Sequence, residues 1–273
     1  MYADPMLINP GNSSITDPSH LADTDDYKIT EGSPVIDSGL DLNSNFNLNT
    51  GNKDYFGNTI QQGMNFDYGI YQHIDKQIIS FDTGWNIMSS NLLPANQDIK
   101  SFFQSLIDNN SLVKVQDENG NSLEYLSFLG VWNNSIGDML LTDGYKVKVS
   151  ADDMIEICGP TVKFPYEIPL KTGWNIISFP QTTVFNGKDV VQQLIDKDVL
   201  VKVQDEDGNS IEYLSFLGEW NNSIVDFLPG KGYKVKVSAD DTLWIYNSYP
   251  KSGAIKSELI TTNHFQPAFE GNG

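Results

Sequence analysis

Along most of this chain apolar residues come in short runs, with polar and turn-forming residues between them. Tyr145, Val147 and Val149 alternate with Lys146 and Lys148, and Tyr233, Val235 and Val237 alternate with Lys234 and Lys236. That period of two predicts strands with one buried and one wet face. Leu112–Gln116 and Leu123–Ser127 flank Asn119-Gly120, and the same pattern flanks Asp207-Gly208. These dipeptides predict hairpins with type I′ turns, in which both central residues take positive φ. A helical period appears in two places. Ile99, Phe102, Phe103, Leu106 and Ile107 share one face, as do Val190, Val191, Leu194 and Ile195. Asn186 or Asp189 is placed to cap the second. Helices of about three turns need a sheet to hold them. Gly84-Trp85-Asn86-Ile87 and Gly173-Trp174-Asn175-Ile176 read as strands opened by a glycine turn, and alternation predicts Trp85 and Trp174 inside.

These elements are written twice. Residues 112–153 and 200–241 differ at only eight positions: 119/207, 123/211, 131/219, 137/225, 139/227, 141/229, 142/230 and 143/231. The upstream Gly-Trp-Asn-Ile anchors repeat as well, with one residue lost between anchor and repeat in the second copy. A repeat of this length means two copies of one module, each with five or so strands and one short helix. The predicted fold class is mainly β, built from α+β modules. The expected organisation is 1–75 as a separate piece, 76–160 as the first module, 161–248 as the second, and 249–273 as a linker or the start of a further module.

Charge narrows the partners. The net charge is −19, and all seventeen basic residues are Lys. An acidic chain repels phosphate backbones, and without Arg it has no bidentate guanidinium clamp, so no nucleic-acid partner is expected. No apolar run reaches the length of a membrane span. The single cysteine, Cys158, excludes an internal disulfide. The first residues have neither the basic nor the apolar region of a signal peptide, so an exported protein of this sequence would begin inside a longer precursor.

Three resemblances add context. Glu31-Gly32-Ser33-Pro34-Val35-Ile36-Asp37-Ser38-Gly39, then Phe56-Gly57-Asn58, then Phe66-Asp67-Tyr68-Gly69-Ile70-Tyr71-Gln72 resemble, in order and spacing, the closing turns of secreted right-handed β-helix proteins of the pectate-lyase-like type. Tyr68, Ile70 and Gln72 depart from the usual residues. The resemblance implies that 1–75 is the end or cap of a parallel β-helix. The family's catalytic residues lie on middle coils that this chain does not contain, so no active site is carried across. The Gly-Trp-Asn opening with the Gly-Tyr-Lys-Val-Lys-Val strand resembles tandem accessory modules of large secreted bacterial proteins, including type IX secretion cargo. It implies an extracellular or cell-surface location, and attachment to the rest of a longer polypeptide. His264-Phe265-Gln266-Pro267 resembles the opening of another such module.

Candidate chemistry is sparse. His20, His73 and His264 lie in different regions, and none recurs in both modules. Asp117-Glu118-Asn119-Gly120-Asn121 and its copy crowd oxygen atoms into a loop. The twelfth position from Asp117 is Phe128, which fails the calcium-loop pattern, so a hairpin turn is expected and no metal or other cofactor. Trp132-Asn133-Asn134 and Trp220-Asn221-Asn222 are the only ligand-binding residues with a concrete rationale, an indole platform for a sugar flanked by amide donors. The plainer alternative is a core tryptophan at a strand start. The functional expectation is a non-catalytic spacer or accessory region. Its alternatives are a carbohydrate-binding pair using exposed Trp132 and Trp220 on a polysaccharide or cell-surface glycan, and a fragment of a polysaccharide-degrading enzyme whose active site lies upstream.

Overall fold

The computed structural model describes residues 75–249 without a break. Of the first 74 residues it describes 4–8, 27–30, 33–36, 38–40, 45–49, 51, 53, 54, 57 and 67. The Phe56, Asn58, Phe66 and Tyr68–Gln72 part of the β-helix resemblance, His20, His73, and everything after 249 lie outside the described residues. The chain divides into two compact units. One comprises 1–77, 92–96 and 156–160, and the other comprises 78–91, 97–155 and 161–273. In the first, Leu7 and Ile29 form an antiparallel bridge, and Ser33 Oγ donates to Pro5 O at 2.6 Å.

Most of both repeats lies in the second unit, and the fold is mainly β, as the alternation predicts. The first repeat has β1 (Lys76–Phe81), β2 (Gly84–Met88), α1 (Ile99–Phe102), α2 (Gln104–Asp108), β3 (Leu112–Gln116), β4 (Ser122–Leu126), β5 (Val131–Asn134), β6 (Tyr145–Val149) and β7 (Asp153–Cys158). The second has β8 (Tyr166–Leu170), β9 (Gly173–Ile177), β10 (Phe185–Asn186), α3 (Gly187–Asp196), β11 (Leu200–Gln204), β12 (Ser210–Leu214), β13 (Glu219–Asn222), β14 (Asp226–Phe227), β15 (Tyr233–Val237) and β16 (Asp241–Ile245). Each repeat forms an antiparallel five-stranded sheet, β2-β6-β3-β4-β5 or β9-β15-β11-β12-β13. A two-stranded sheet, β1-β7 or β8-β16, accompanies it.

In the second repeat the core joins Val203, Val235 and Val237 of the large sheet to Ile168 and Leu170 of β8 and Leu243 and Ile245 of β16. Val190, Val191 and Leu194 of α3 complete it. Gln193 fastens the helix to β16 by donating to Trp244 O and accepting from Trp244 N. Asn186 caps α3, accepting from Lys188 N and Asp189 N. The first repeat departs from the expected single helix. Its apolar face is present, but the helix breaks at Phe103 (φ −98°, ψ 15°) into α1 and α2. Phe103 is nonetheless fully buried and sits 6.3 Å from Phe81, so its packing survives the break.

The hairpin turns also differ from expectation. Gly120 and Gly208 both have φ of +87°, whereas Asn119 and Asp207 stay at negative φ. A type I′ turn needs two positive φ values, so the loop is a different one, and its extra hydrogen bonds explain the choice. Asp117 accepts from both the backbone N and the side-chain amide of Asn121, and Asp205 does the same for Asn209. Asp and Asn side chains that bond nearby backbone create such turns themselves.

The Gly-Trp-Asn strand is inverted relative to the simple alternation. Trp85 is 50% exposed and Trp174 46%, while Asn86 and Asn175 are each 3% exposed. The amide is the reason. Asn86 accepts from Asp82 N at 3.0 Å and donates to Asp82 O at 2.8 Å and to Gly84 O. Asn175 holds Lys171 and Gly173 in the same way. A buried amide that closes the β1–β2 turn fixes the register, and the indole is left on the outer face. Gly84 and Gly173, at φ +113° and +103°, supply the turn geometry that other residues disfavour.

Candidate functional site: two hairpins, two sheet faces and a seam

Cross-strand pairing sets the position of every candidate residue. In β4–β5, Leu123 faces Asn134, Glu124 faces Asn133, and Tyr125 faces Trp132. Leu123 is buried, so Tyr125, Trp132 and Asn134 share the core side, and Glu124 and Asn133 share the other. The hairpin runs past its support, so that side emerges into solvent. Tyr125 is 51% exposed, and Phe128 at the tip is 80% exposed. Trp132 is half-buried, with its ring 5.8 Å from that of Tyr125. The second repeat matches: Tyr213 and Trp220 stand 5.9 Å apart, Phe216 is 79% exposed, and Trp220 leans on the core. Each indole is thus half-buried and part of a surface aromatic cluster, and Trp220 also packs against the core.

The flanking asparagines separate into two kinds. Asn134 donates to Asp98 Oδ2 and Gly137 O and accepts from Ile136 N and Gly137 N. Asn222 likewise donates to Val225 O and accepts from Val225 N. These two hold the chain that follows the hairpin, and a ligand would have to break those bonds. Asn133 and Asn221 are exposed on the outer face. Sequence reasoning missed Phe128, Tyr125 and their copies. The signal was present in Tyr-Leu-Ser-Phe-Leu-Gly, whose tip has more apolar residues than a solvated turn requires.

On the outer face of the first sheet the register places Trp85, Lys148, Lys114, Glu124 and Asn133 in one row across all five strands. The second sheet has Trp174, Lys236, Lys202, Glu212 and Asn221. Lys114 Nζ donates to Glu124 Oε2 at 3.0 Å, and Lys202 Nζ to Glu212 Oε2 at 2.9 Å. Those bonds, with a further one from Ser122 or Ser210, hold the two carboxyls below the usual glutamate range. Lys148 Nζ lies 5.7 Å from the Trp85 ring centroid, and Lys236 Nζ 5.8 Å from that of Trp174.

The acidic loops have a third role. Glu118 of the first repeat reaches the second, where its Oε2 accepts from Ile176 N at 2.9 Å. Glu206 of the second repeat returns the contact, accepting from Ile87 N at 2.8 Å. Around these bonds the backbones interlock. Gly144 N donates to Ile176 O and Gly232 N to Ile87 O, while Ser178 N donates to Thr142 O and Ser89 N to Gly230 O. A Cβ on Gly144 would stand 2.6 Å from Ile177 O, and one on Gly232 2.8 Å from Met88 O, so only glycine permits the approach. The inner edge strands β2 and β9 are therefore each closed by a loop of the other repeat. An open sheet edge invites unwanted pairing, and this exchange removes two of them.

The seam is symmetric in backbone but not in charge. Lys231 donates to Glu206. The position equivalent to Lys231 is Asp143, whose hydroxyl partner is Thr142 at 2.7 Å. Burial pushes the Asp143 carboxyl up, with Asp117 adding to the effect. Burial also pushes up Glu118, whose bond from Ile176 N opposes it and whose neighbours Asp143 and Asp117 add to it. One half of the seam is neutralised, and the other holds like charges together.

A shallow pocket of about 460 Å³ is lined by Thr161, Val162, Lys163, Phe164, Pro180, Thr182 and Asn247, with no carboxylate, histidine or thiol in its wall. Among the described residues no group of three or more His, Cys, Asp or Glu side chains is set to hold a metal, and no helix is long and apolar enough to cross a membrane. No family model, no curated protein and no solved structure matches this chain.

Proposed function

We propose that this chain is a non-catalytic accessory region of a secreted or cell-surface protein, in which two fused modules act as a stiff spacer. The observation that carries the reading is the reciprocal seam. Twin loops exchanged between sheet edges hold two repeats in one arrangement, which an articulated linker would not require. The carboxyls with raised proton affinity, Glu118 and Asp143, lie at this seam, where Glu118 accepts from Ile176 N and Asp143 from the Thr142 hydroxyl. The resemblance of residues 31–39 to a β-helix closing turn supports a position downstream of a β-helix.

Two measurements test this. Residual dipolar couplings from backbone amides of both repeats should fit a single alignment tensor; two independent tensors would refute the stiff spacer. Incubation with a broad polysaccharide panel should release no reducing ends, and release by a purified chain would refute the non-catalytic assignment.

A second reading, glycan binding through the hairpins, is favoured by one specific observation: Tyr125 and Phe128, with their copies, extend the Trp132 and Trp220 clusters into solvent. Aromatic faces beside hydroxyl and amide groups suit sugar rings.

A further inference from the structure

The outer sheet faces carry a feature that neither the spacer nor the hairpin reading uses. In a chain with more than twice as many acids as lysines, three lysines per sheet (Lys114, Lys146 and Lys148, or Lys202, Lys234 and Lys236) point to one face. Lys114 and Lys202 are bound to glutamates. Lys146, Lys148, Lys234 and Lys236 have no carboxylate partner among the described residues. Beside each unpaired set stands a half-exposed indole, Trp85 or Trp174. The 5.7 Å from Lys148 Nζ to the Trp85 centroid is near the outer limit of about 6 Å for a cation–π contact. The ammonium therefore stands over one side of the ring at long range, and the indole, 50% exposed, keeps the rest of its surface open to solvent. The row ends in the exposed amide of Asn133, four strand spacings of ~4.8 Å away, or about 19 Å.

We propose that each outer face binds an acidic polysaccharide, with Trp85 or Trp174 stacked on a sugar ring and Lys148 or Lys236 paired with that ring's carboxylate. Charge complementarity selects this partner. A neutral glycan leaves the four lysines without a counter-charge. A nucleic acid presents a charge about every 1.7 Å of duplex, which the surrounding net negative charge repels. A polyuronate has one carboxylate per ring, matching one indole and its adjacent ammonium. The fixed seam places two equivalent faces on one body, and linked sites strengthen binding to a polymer beyond either alone.

The test is affinity gel electrophoresis of the full chain at about 0.1 M salt with EDTA, where the Debye length is about 10 Å. Gels contain alginate, a neutral β-glucan, or inorganic polyphosphate. The expected result is retardation by alginate alone. Trp85→Ala with Trp174→Ala, and separately Lys148→Gln with Lys236→Gln, should weaken alginate binding at least ~10-fold, because each removes one contact at both linked sites. Phe128→Ser with Phe216→Ser should leave it unchanged, since those side chains belong to the hairpin clusters. Equal retardation by polyphosphate would reduce the effect to bare charge, and equal retardation by β-glucan would remove the carboxylate requirement. Loss of binding in the Phe128/Phe216 variant, retention in the tryptophan variant with unchanged Tm, or no retardation at all would each overturn the proposal.

Discussion

Replacing Asp143 with lysine should stabilise the protein, because it rebuilds on one half of the seam the ion pair already present on the other. In the second repeat Lys231 meets Glu206, while in the first Asp143 stands close enough to Glu118 to raise its proton affinity. Two contributions are reversed together: a like-charge repulsion disappears and an attraction replaces it. Unit charges ~4 Å apart interact by about 1 kcal/mol in water and about 4 kcal/mol at an effective dielectric of 20. Glu118 is desolvated at its carboxyl yet keeps part of its surface in water, so screening puts each contribution at or below about 1 kcal/mol. The sum is about 1–2 kcal/mol, which for a unit of this size corresponds to about 3–6 °C in Tm. Thermal and urea unfolding at pH 7 and low salt measure it. In a Glu118→Gln background the gain should fall by more than half, because the partner charge is gone. As pH falls through the raised folded values of Glu118 and Asp143, the difference between wild type and Asp143→Lys should shrink. A gain that persists undiminished in the Glu118→Gln background would refute the seam electrostatics. So would a loss of stability at neutral pH.

Further outcomes follow from other contacts. Asn86→Ala and Asn175→Ala each remove a buried amide that closes a turn, and each should cost about 2–3 kcal/mol in urea unfolding. Gly232→Ala places a methyl 2.8 Å from Met88 O at the seam. It should lower Tm and expose the 87–91 region to hydrogen exchange, whereas unchanged protection there would count against the packed seam. Val225 has φ of +68°, where the first repeat has Gly137 at +90°. Val225→Gly should therefore stabilise by about 1 kcal/mol and Gly137→Val should destabilise by a similar amount, since a β-branched residue is strained there. The acid response has two signs. Asp240 is held down to about 2 by bonds from the Thr172 backbone and hydroxyl and from Lys171. Its contribution is present above its unfolded value near 3.9 and is lost as pH falls towards 2. The raised Asp143 and Glu118 carboxyls act oppositely, favouring the fold at mildly acidic pH and ceasing to do so as pH rises through their folded values. Urea midpoints should therefore peak on the mildly acidic side of neutral in wild type. For Asp143→Lys the peak should move towards neutral.

What was legible in the sequence was local. The repeat, the Lys-Val-Lys strands, the hairpin positions and the Asn186 cap all follow from spacing within a few residues. The first helix was read through its break, because an apolar face persists across Phe103 whether or not the backbone stays helical. Trp85 was misplaced because alternation assumes that the larger apolar side chain faces inward. It does not foresee an amide whose bonds to Asp82 and Gly84 need burial. The exposed Tyr125 and Phe128 emerge because the hairpin outruns its support, which depends on element lengths in three dimensions. Glu118 and Glu206 looked like turn residues because their bonding partners lie 58 and 119 positions away. The glycines before Tyr145 and Tyr233 carried the same hidden information, since nothing local shows that another backbone passes within contact distance.

The exchanged loops have the geometry of an isologous dimer interface, in which one patch meets its own copy across a two-fold axis. Two separate chains of one sequence must place the same side chain at both equivalent positions of such an interface, so every favourable or unfavourable substitution counts twice. Joining the partners in a single polypeptide removes that constraint. Here it allows lysine on one side and aspartate on the other, and so permits a heterodimer-like specificity that a homodimer of this module has no means to encode.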